Sequence, residues 1–149
     1  PHFFVSNFPM NFWLVKQEPT KYSWDEFVHD KETYWDGVRN YQARNNLKAM
    51  KKGDYAFYYH SVSDKKIMGI AKVTKEFYQD PTTPDERWVV VDLKPVKPFK
   101  NQVSLEQVKG EKSLQDIALV KQSRLSVAPL TQKEFKIILK MGGTDLAGI

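Results

Sequence analysis

With 149 residues, 41% of them hydrophobic, the chain has the size and apolar content of one domain around one core, and no apolar run approaches the roughly 20 residues of a membrane-spanning helix. Without cysteine it is denied disulfides, thiolate metal sites and cysteine nucleophiles, and its three scattered histidines, His2, His29 and His60, are poor material for a metal site. A net charge of +5 with a pI near 9.3 suits a polyanionic partner, and 13% aromatic residues, including four tryptophans, add the stacking surfaces on which base recognition outside a duplex relies.

Pro1 is not an initiator and Met10 directly precedes the first convincing strand, so residues 1–10 are expected to be a disordered, vector-derived or processed extension. Phe12-Trp13-Leu14-Val15 reads as a buried strand that Pro19-Thr20 ends. Ser23 followed by Glu26 has capping-box spacing and predicts a short helix over 24–29. Gly37 marks a turn, and residues 40–50 form a helix stopped by Lys52-Gly53. The strand over 54–61 places Tyr55, Phe57 and Tyr59 on one face and Ala56, Tyr58 and His60 on the other, a pattern that belongs in a sheet covered on both sides.

Two longer β segments, 66–77 and 88–96, flank a Pro- and Asp-rich turn region at 79–87, and pairing of consecutive segments predicts an antiparallel meander. Ser104 with Gln107 starts another short helix. Thr131 with Glu134 starts the last one, whose Phe135, Ile138 and Leu139 make an apolar stripe before Gly142-Gly143 ends it. The expected domain spans 11–143, with 144–149 as a C-terminal tail. Its expected class is α+β, a small mixed β-barrel of five to six strands with short helices packed around it.

Trp13-Leu-Val-Lys16-Gln-Glu18-Pro19, then Trp35-Asp36-Gly37-Val38-Arg39-Asn40-Tyr41-Gln42-Ala43-Arg44-Asn45, then Tyr58-Tyr59-His60-Ser61, closely resemble the EVE family. Arg124-Leu-Ser126-Val-Ala-Pro129-Leu fits the same pattern, so the match runs over roughly 11–141 in family order. The resemblance implies a PUA-like barrel related to YTH domains, binding of methylated or hydroxymethylated cytosine-type bases, and no catalysis.

The residues themselves are compatible with that reading. Trp35 lies in a loop-like context beside Asp36-Gly37, where its ring either forms a stacking platform or plugs the barrel end. Trp88 starts a strand and could line a rim, whereas Trp13 and Trp24 sit in apolar patterns, Trp24 the more clearly for packing. Asp36 either accepts a hydrogen bond from an exocyclic amino group or caps a turn. Asn40 reads a base edge or caps the helix it precedes. His60 and Ser61 donate to a base, or form a satisfied polar pair at a strand end. The expected base pocket comprises Trp13, Trp35, Asp36, Val38, Tyr59, His60, Ser61, Trp88 and Ser126. Arg44, Lys48 and Lys52 recur every four residues on one side of a helix. With Lys16, Arg39 and Asn40 they form the expected phosphate track, although a charge stripe is also the ordinary look of a solvated face.

The function expected is a non-catalytic reader of modified bases, flipped out of a duplex or presented in a single strand, without cofactor or metal. Alternatives are an RNA-binding module of RNA-modification systems, a hydrolase using His60 with Asp36 or Glu18, and a protein-interaction module. No nucleophile elbow, zinc helix, phosphate loop or deaminase signature supports the hydrolase. An intracellular monomer without membrane contact is expected, in the cytoplasm or nucleoid of a bacterium or the nucleus of a eukaryote.

Overall fold

The computed structural model describes residues 10–146. The expected N-terminal extension, apart from Met10, and residues 147–149 of the expected tail lie outside the described residues. Strands β1 (Phe12–Gln17), β2 (Thr33–Tyr34), β3 (Tyr55–His60), β4 (Lys66–Gln79), β5 (Val89–Ser104) and β6 (Val127–Leu130) form one sheet of order β2-β5-β4-β3-β1-β6. Helices α1 (Trp24–Asp30), α2 (Tyr41–Ala49), α3 (Leu105–Lys109), α4 (Ala118–Lys121) and α5 (Gln132–Met141), with a 3-10 turn at Lys112–Leu114, surround it. The α+β class, the strand number and the short helices are as expected, but the sheet is not a closed barrel. Its edges are β2, two residues long and paired only with β5, and β6, paired only with β1, so no ladder joins them.

The antiparallel β3-β4-β5 run is the expected meander. The central β1 instead pairs parallel to β3, because the chain between them carries α1 and α2 as a crossover. β5 continues eight residues past the Val96 limit expected from the sequence, to Ser104. Its Pro95 and Pro98 lie beyond the Asp92–Leu93 stretch that β2 covers, so their missing N–H groups cost no ladder bond on that side.

Strand alternation divides the interior into two cores, as the two-faced β3 pattern requires. On one side Trp13, Val15, Ala56 and Tyr58 meet Trp24, Phe27, Ala43 and Leu47 of α1 and α2. On the other, Phe12, Leu14, Phe57 and Tyr59 meet Phe135, Ile138 and Leu139 of α5 and Val108 of α3. Phe57 and Phe135 stack at 4.1 Å with planes 7° apart, and burying a side chain of this size is worth about 1.5–3 kcal/mol.

The capping boxes at Ser23/Glu26, Ser104/Gln107 and Thr131/Glu134 all form with both reciprocal bonds. Gly69 is required by close approach, since a Cβ there would stand 2.6 Å from the Trp24 ring and 2.8 Å from the Lys97 carbonyl. The start of the expected tail is tied to the body: buried Thr144 accepts from the Lys100 N–H (3.0 Å) and donates to the Gly142 carbonyl (2.9 Å).

Candidate functional site

At the C-terminal end of β1 a cleft of about 370 Å³ opens between Gln17, Lys21, Tyr22 and the Thr33–Gly37 segment, in the lower range of ligand pockets. Three aromatic side chains line it: Trp35, Tyr22 and Tyr34. Trp35 is held from two directions. Its N–H donates to the Val91 carbonyl (2.8 Å), and its ring meets Tyr58 edge-on at 5.2 Å. It is 4% exposed, so it packs into the core and lines the cleft with the same ring, which joins the two roles that its sequence context left open. Among the described residues the Trp35 indole N–H donates to no acceptor, and no buried side-chain N or O lacks a partner.

Asp36 is exposed at the cleft and, among the described residues, makes no hydrogen bond or ion pair, so it caps nothing. Beside it, the Gln17 Oε1 accepts from the Glu18 N–H (2.9 Å), and the Gln17 amide NH₂ has no acceptor among the described residues. The cleft thus combines aromatic walls, one unpaired carboxylate and one amide donor. Lys21 is turned to Glu18 (3.1 Å) at the rim. Tyr22 donates to Asp30 (2.8 Å), and burial, helped by that bond, pushes its phenol well above the ordinary value, so it stays neutral.

The loop that carries Trp35 and Asp36 is pinned by Asp80, which is wholly buried in the β4–β5 turn region. One Asp80 oxygen accepts from the Gly37 N–H (3.2 Å) and from Arg39 (2.9 Å), and the other from the Thr82 N–H (2.8 Å) and hydroxyl. Burial by itself would raise the Asp80 pKa, yet the bonds from Thr82, Arg39 and Gly37 outweigh it and hold the carboxyl below the ordinary value. Gly37 has φ +80°, a conformation that a side chain would strain.

Of the expected pocket residues, only Trp35 and Asp36 line this cleft. Trp13 lies four residues up β1 from Gln17, roughly 13 Å away, and donates from its indole to buried Asp54 (3.0 Å). Asp54 also accepts from the Lys51 and Asn11 N–H groups (2.9 and 3.2 Å). Val38 is buried in the core under α2. Tyr59 points to the opposite core, because alternation sends it away from the face that holds Tyr58, and burial pushes its phenol up to about 12. The Trp88 ring stacks on Tyr41, outside the cleft.

His60 is 4% exposed with both ring nitrogens engaged: Nε2 accepts from the Trp24 N–H (2.9 Å) and Nδ1 faces Asp64 (2.8 Å). It is therefore the satisfied strand-end residue. Ser61 borders the site through its N–H, which donates to the Gln17 carbonyl (3.0 Å), and Ser126 accepts from the Lys16 N–H (2.9 Å) through its own carbonyl.

Among the expected phosphate contacts, Asn40 caps α2 by accepting from the Ala43 N–H (2.9 Å). Lys16 is half-buried and donates to the Ser123 carbonyl (2.9 Å), and burial lowers its pKa. Arg39 is spent largely on Asp80. Arg44 bonds Asn45 and the Arg87 carbonyl but no carboxylate among the described residues, Lys48 lies over Phe77 (5.4 Å), and Lys52 is exposed. Sequence reasoning missed Gln17, Lys21, Tyr22 and Tyr34. Gln17 lies inside the Trp13–Pro19 motif and Tyr34 adjoins Trp35, which was their one signal; Tyr22 and Lys21 reach the cleft only through tertiary folding. No group of three His, Asp or Glu able to hold a metal occurs among the described residues, and no described helix is long and apolar enough to cross a membrane.

The one-sheet α+β fold is similar to that of a YTH domain. The YTH domain of Zygosaccharomyces rouxii MRB1, solved with N6-methyladenosine RNA, shares it at a TM-score of 0.58 and 15% identity over 89% of this chain and 86% of that one. The model of the EVE domain matches residues 11–141, and the chain belongs to that family. Thymocyte nuclear protein 1 of Mus musculus is 38% identical over 91% of this chain and 75% of its own length. A protein of Agrobacterium tumefaciens known from its crystal structure is 42% identical with a TM-score of 0.88, covering 90% of this chain and 94% of that one. The human THYN1 protein, crystallised in complex with 5-methylcytosine-containing DNA, is 33% identical with a TM-score of 0.83 over 91% of this chain and 99% of that one.

Proposed function

We propose that this protein is a non-catalytic reader that takes one modified, cytosine-type base into the Trp35 cleft. The observation that carries the reading is the unpaired Asp36 carboxylate beside Trp35, Tyr22 and Tyr34 in one cleft. A base removed from its stack needs an aromatic surface to replace lost stacking, and its Watson–Crick edge needs partners. Asp36 suits the exocyclic amino group of cytosine, and the amide of Gln17 suits a ring nitrogen or carbonyl. The complex of the 33% identical human protein with 5-methylcytosine-containing DNA supports the same substrate class.

Half-buried Arg44 and the exposed Lys48 and Lys52, along α2 and its end, supply phosphate contacts, which give affinity without choice. Choice comes from the cleft. Burying one added methyl is worth about 0.8 kcal/mol, or about fourfold. For catalysis His60 offers no free nitrogen, and Asp36 has no bonded acid–base partner among the described residues.

The test is titration with a panel of free nucleosides, paired with mass spectrometry of modified oligonucleotides after incubation. The reading predicts about fourfold or greater preference for 5-methyl- or 5-hydroxymethylcytidine over cytidine, with every oligonucleotide recovered intact. Equal binding across the panel would remove the modification from the function, and altered bases or cleaved strands would make the protein an enzyme.

A further inference from the structure

Trp88, drawn to the pocket by its sequence context, belongs to a different surface. Tyr41, on the first turn of α2 and 52% exposed, stacks on it with ring centroids 5.2 Å apart and planes 29° apart. The guanidinium groups of Arg39 and Arg87 each lie 5.6 Å from the Trp88 ring, and that of Arg44 lies 5.0 Å from the Tyr41 ring. The charges are not alike in their partners. Arg39 is neutralised by Asp80 and Arg87 by Asp85 at 2.6 Å, while Arg44 meets only neutral acceptors among the described residues.

Exposed Tyr41, backed by the largely buried Trp88 ring and edged by one guanidinium with no carboxylate partner among the described residues, is suited to a nucleotide, whose base stacks on an aromatic or guanidinium plane while its phosphate takes the charge. An apolar peptide would have to desolvate that charge without replacing it. The surface is joined to the cleft through a single oxygen: the Asp80 Oδ2 that accepts from the Gly37 N–H also accepts from Arg39, whose guanidinium then overlies Trp88.

We infer that Tyr41, Trp88 and Arg44 form a second platform, on which the nucleotide flanking the recognised base stacks as the strand leaves the cleft past Gly37. The inference rests on the reader function proposed above and adds to it a contact that extends the site beyond one base. Arg44 shifts from Tyr41 to the phosphate, and the flanking base takes its place over the ring.

The test is a double-mutant cycle between Tyr41 and the flanking base, using single-stranded oligonucleotides with one 5-methylcytosine and either a normal or an abasic neighbour. Tyr41→Ala should weaken binding of the intact oligonucleotide about five- to 150-fold, and the abasic neighbour should do the same to the wild type. Together they should lose little more than either alone. Tyr41→Phe, which keeps the ring, should bind like wild type, and free 5-methyl-2′-deoxycytidine should bind Tyr41→Ala and wild type equally. Losses that multiply in the cycle, or oligonucleotide binding untouched by Tyr41→Ala, overturn the platform. Its failure is separable from that of the reader function, since a wild type that binds no free nucleoside refutes the cleft assignment whatever the cycle reports.

Discussion

Replacing Asp80 with Ala removes the post that holds the Trp35–Asp36 loop against the β4–β5 turn region. The side chain is wholly buried and accepts four hydrogen bonds, two from backbone N–H groups, one from the Arg39 guanidinium and one from the Thr82 hydroxyl. Bonds to a charged acceptor contribute about 1.5–3 kcal/mol each when counted singly, but they are not additive, and Gly37, Arg39 and Thr82 are exposed enough to regain water. The expected cost of Asp80→Ala is therefore about 2–4 kcal/mol, less than removing a partner from a fully buried pair. The pH dependence has a definite sign. The Asp80 pKa is depressed in the folded state, so its contribution is complete above the unfolded value of 3.8 and is lost as pH falls through the lower folded value. Urea denaturation between pH 2.5 and 7 (chosen conditions on the order of the carboxylate range) of wild type and Asp80→Asn isolates it. The stability gap between the two should be widest above about pH 5 and should narrow as the solution is acidified. A gap that stays constant with pH, or an Asp80→Ala protein within about 0.5 kcal/mol of wild type, would show that the loop is held by something else.

Asp54→Ala should cost about 2–4 kcal/mol in chemical denaturation by orphaning the buried Trp13 indole N–H and two backbone N–H groups, without changing nucleoside affinity. Gly69→Ala should lower stability by about 1–3 kcal/mol, because the new methyl meets the Trp24 ring and the Lys97 carbonyl; a neutral result in a thermal melt would mean that both move freely. Joint replacement of Lys48 and Lys52 by Ala should reduce the slope of log affinity against log salt for single strands by about 0.7 per lost contact, with base preference intact. An unchanged slope would move the phosphate contacts elsewhere.

Local chemistry was legible in the sequence. The three capping boxes, the Phe135–Ile138–Leu139 stripe and the doubly covered β3 all depend on neighbours within a few residues, and each is found. The parallel β1–β3 pair was not legible, since it is set by a crossover of more than 30 residues, nor was β2, whose two residues leave no period to read. The same limit divides the site. Trp35 and Asp36 are adjacent in sequence and reach the cleft together. Tyr59 was drawn in beside His60, but which face of β3 turns toward Trp35 is decided by how α1 and α2 pack, and that face carries Tyr58. Trp13 and Trp88 share a residue type with Trp35 and differ only in what they touch: buried Asp54 for one, exposed Tyr41 for the other. Asp80 and Asp54, which hold the structure around both, look like ordinary turn aspartates until their hydrogen bonds are seen.

The central claim, that the recognised base occupies the Trp35–Asp36 cleft, is tested most directly by titrating ¹⁵N-labelled protein with 5-methyl-2′-deoxycytidine and following amide and indole resonances. The Trp35 indole N–H, the backbone of Thr33–Gly37 and the Gln17 side-chain amide should shift together, with the Trp13 indole, fixed to Asp54, unmoved. Shifts confined to Tyr41 and Trp88, with Trp35 and Gln17 silent at saturation, would contradict it.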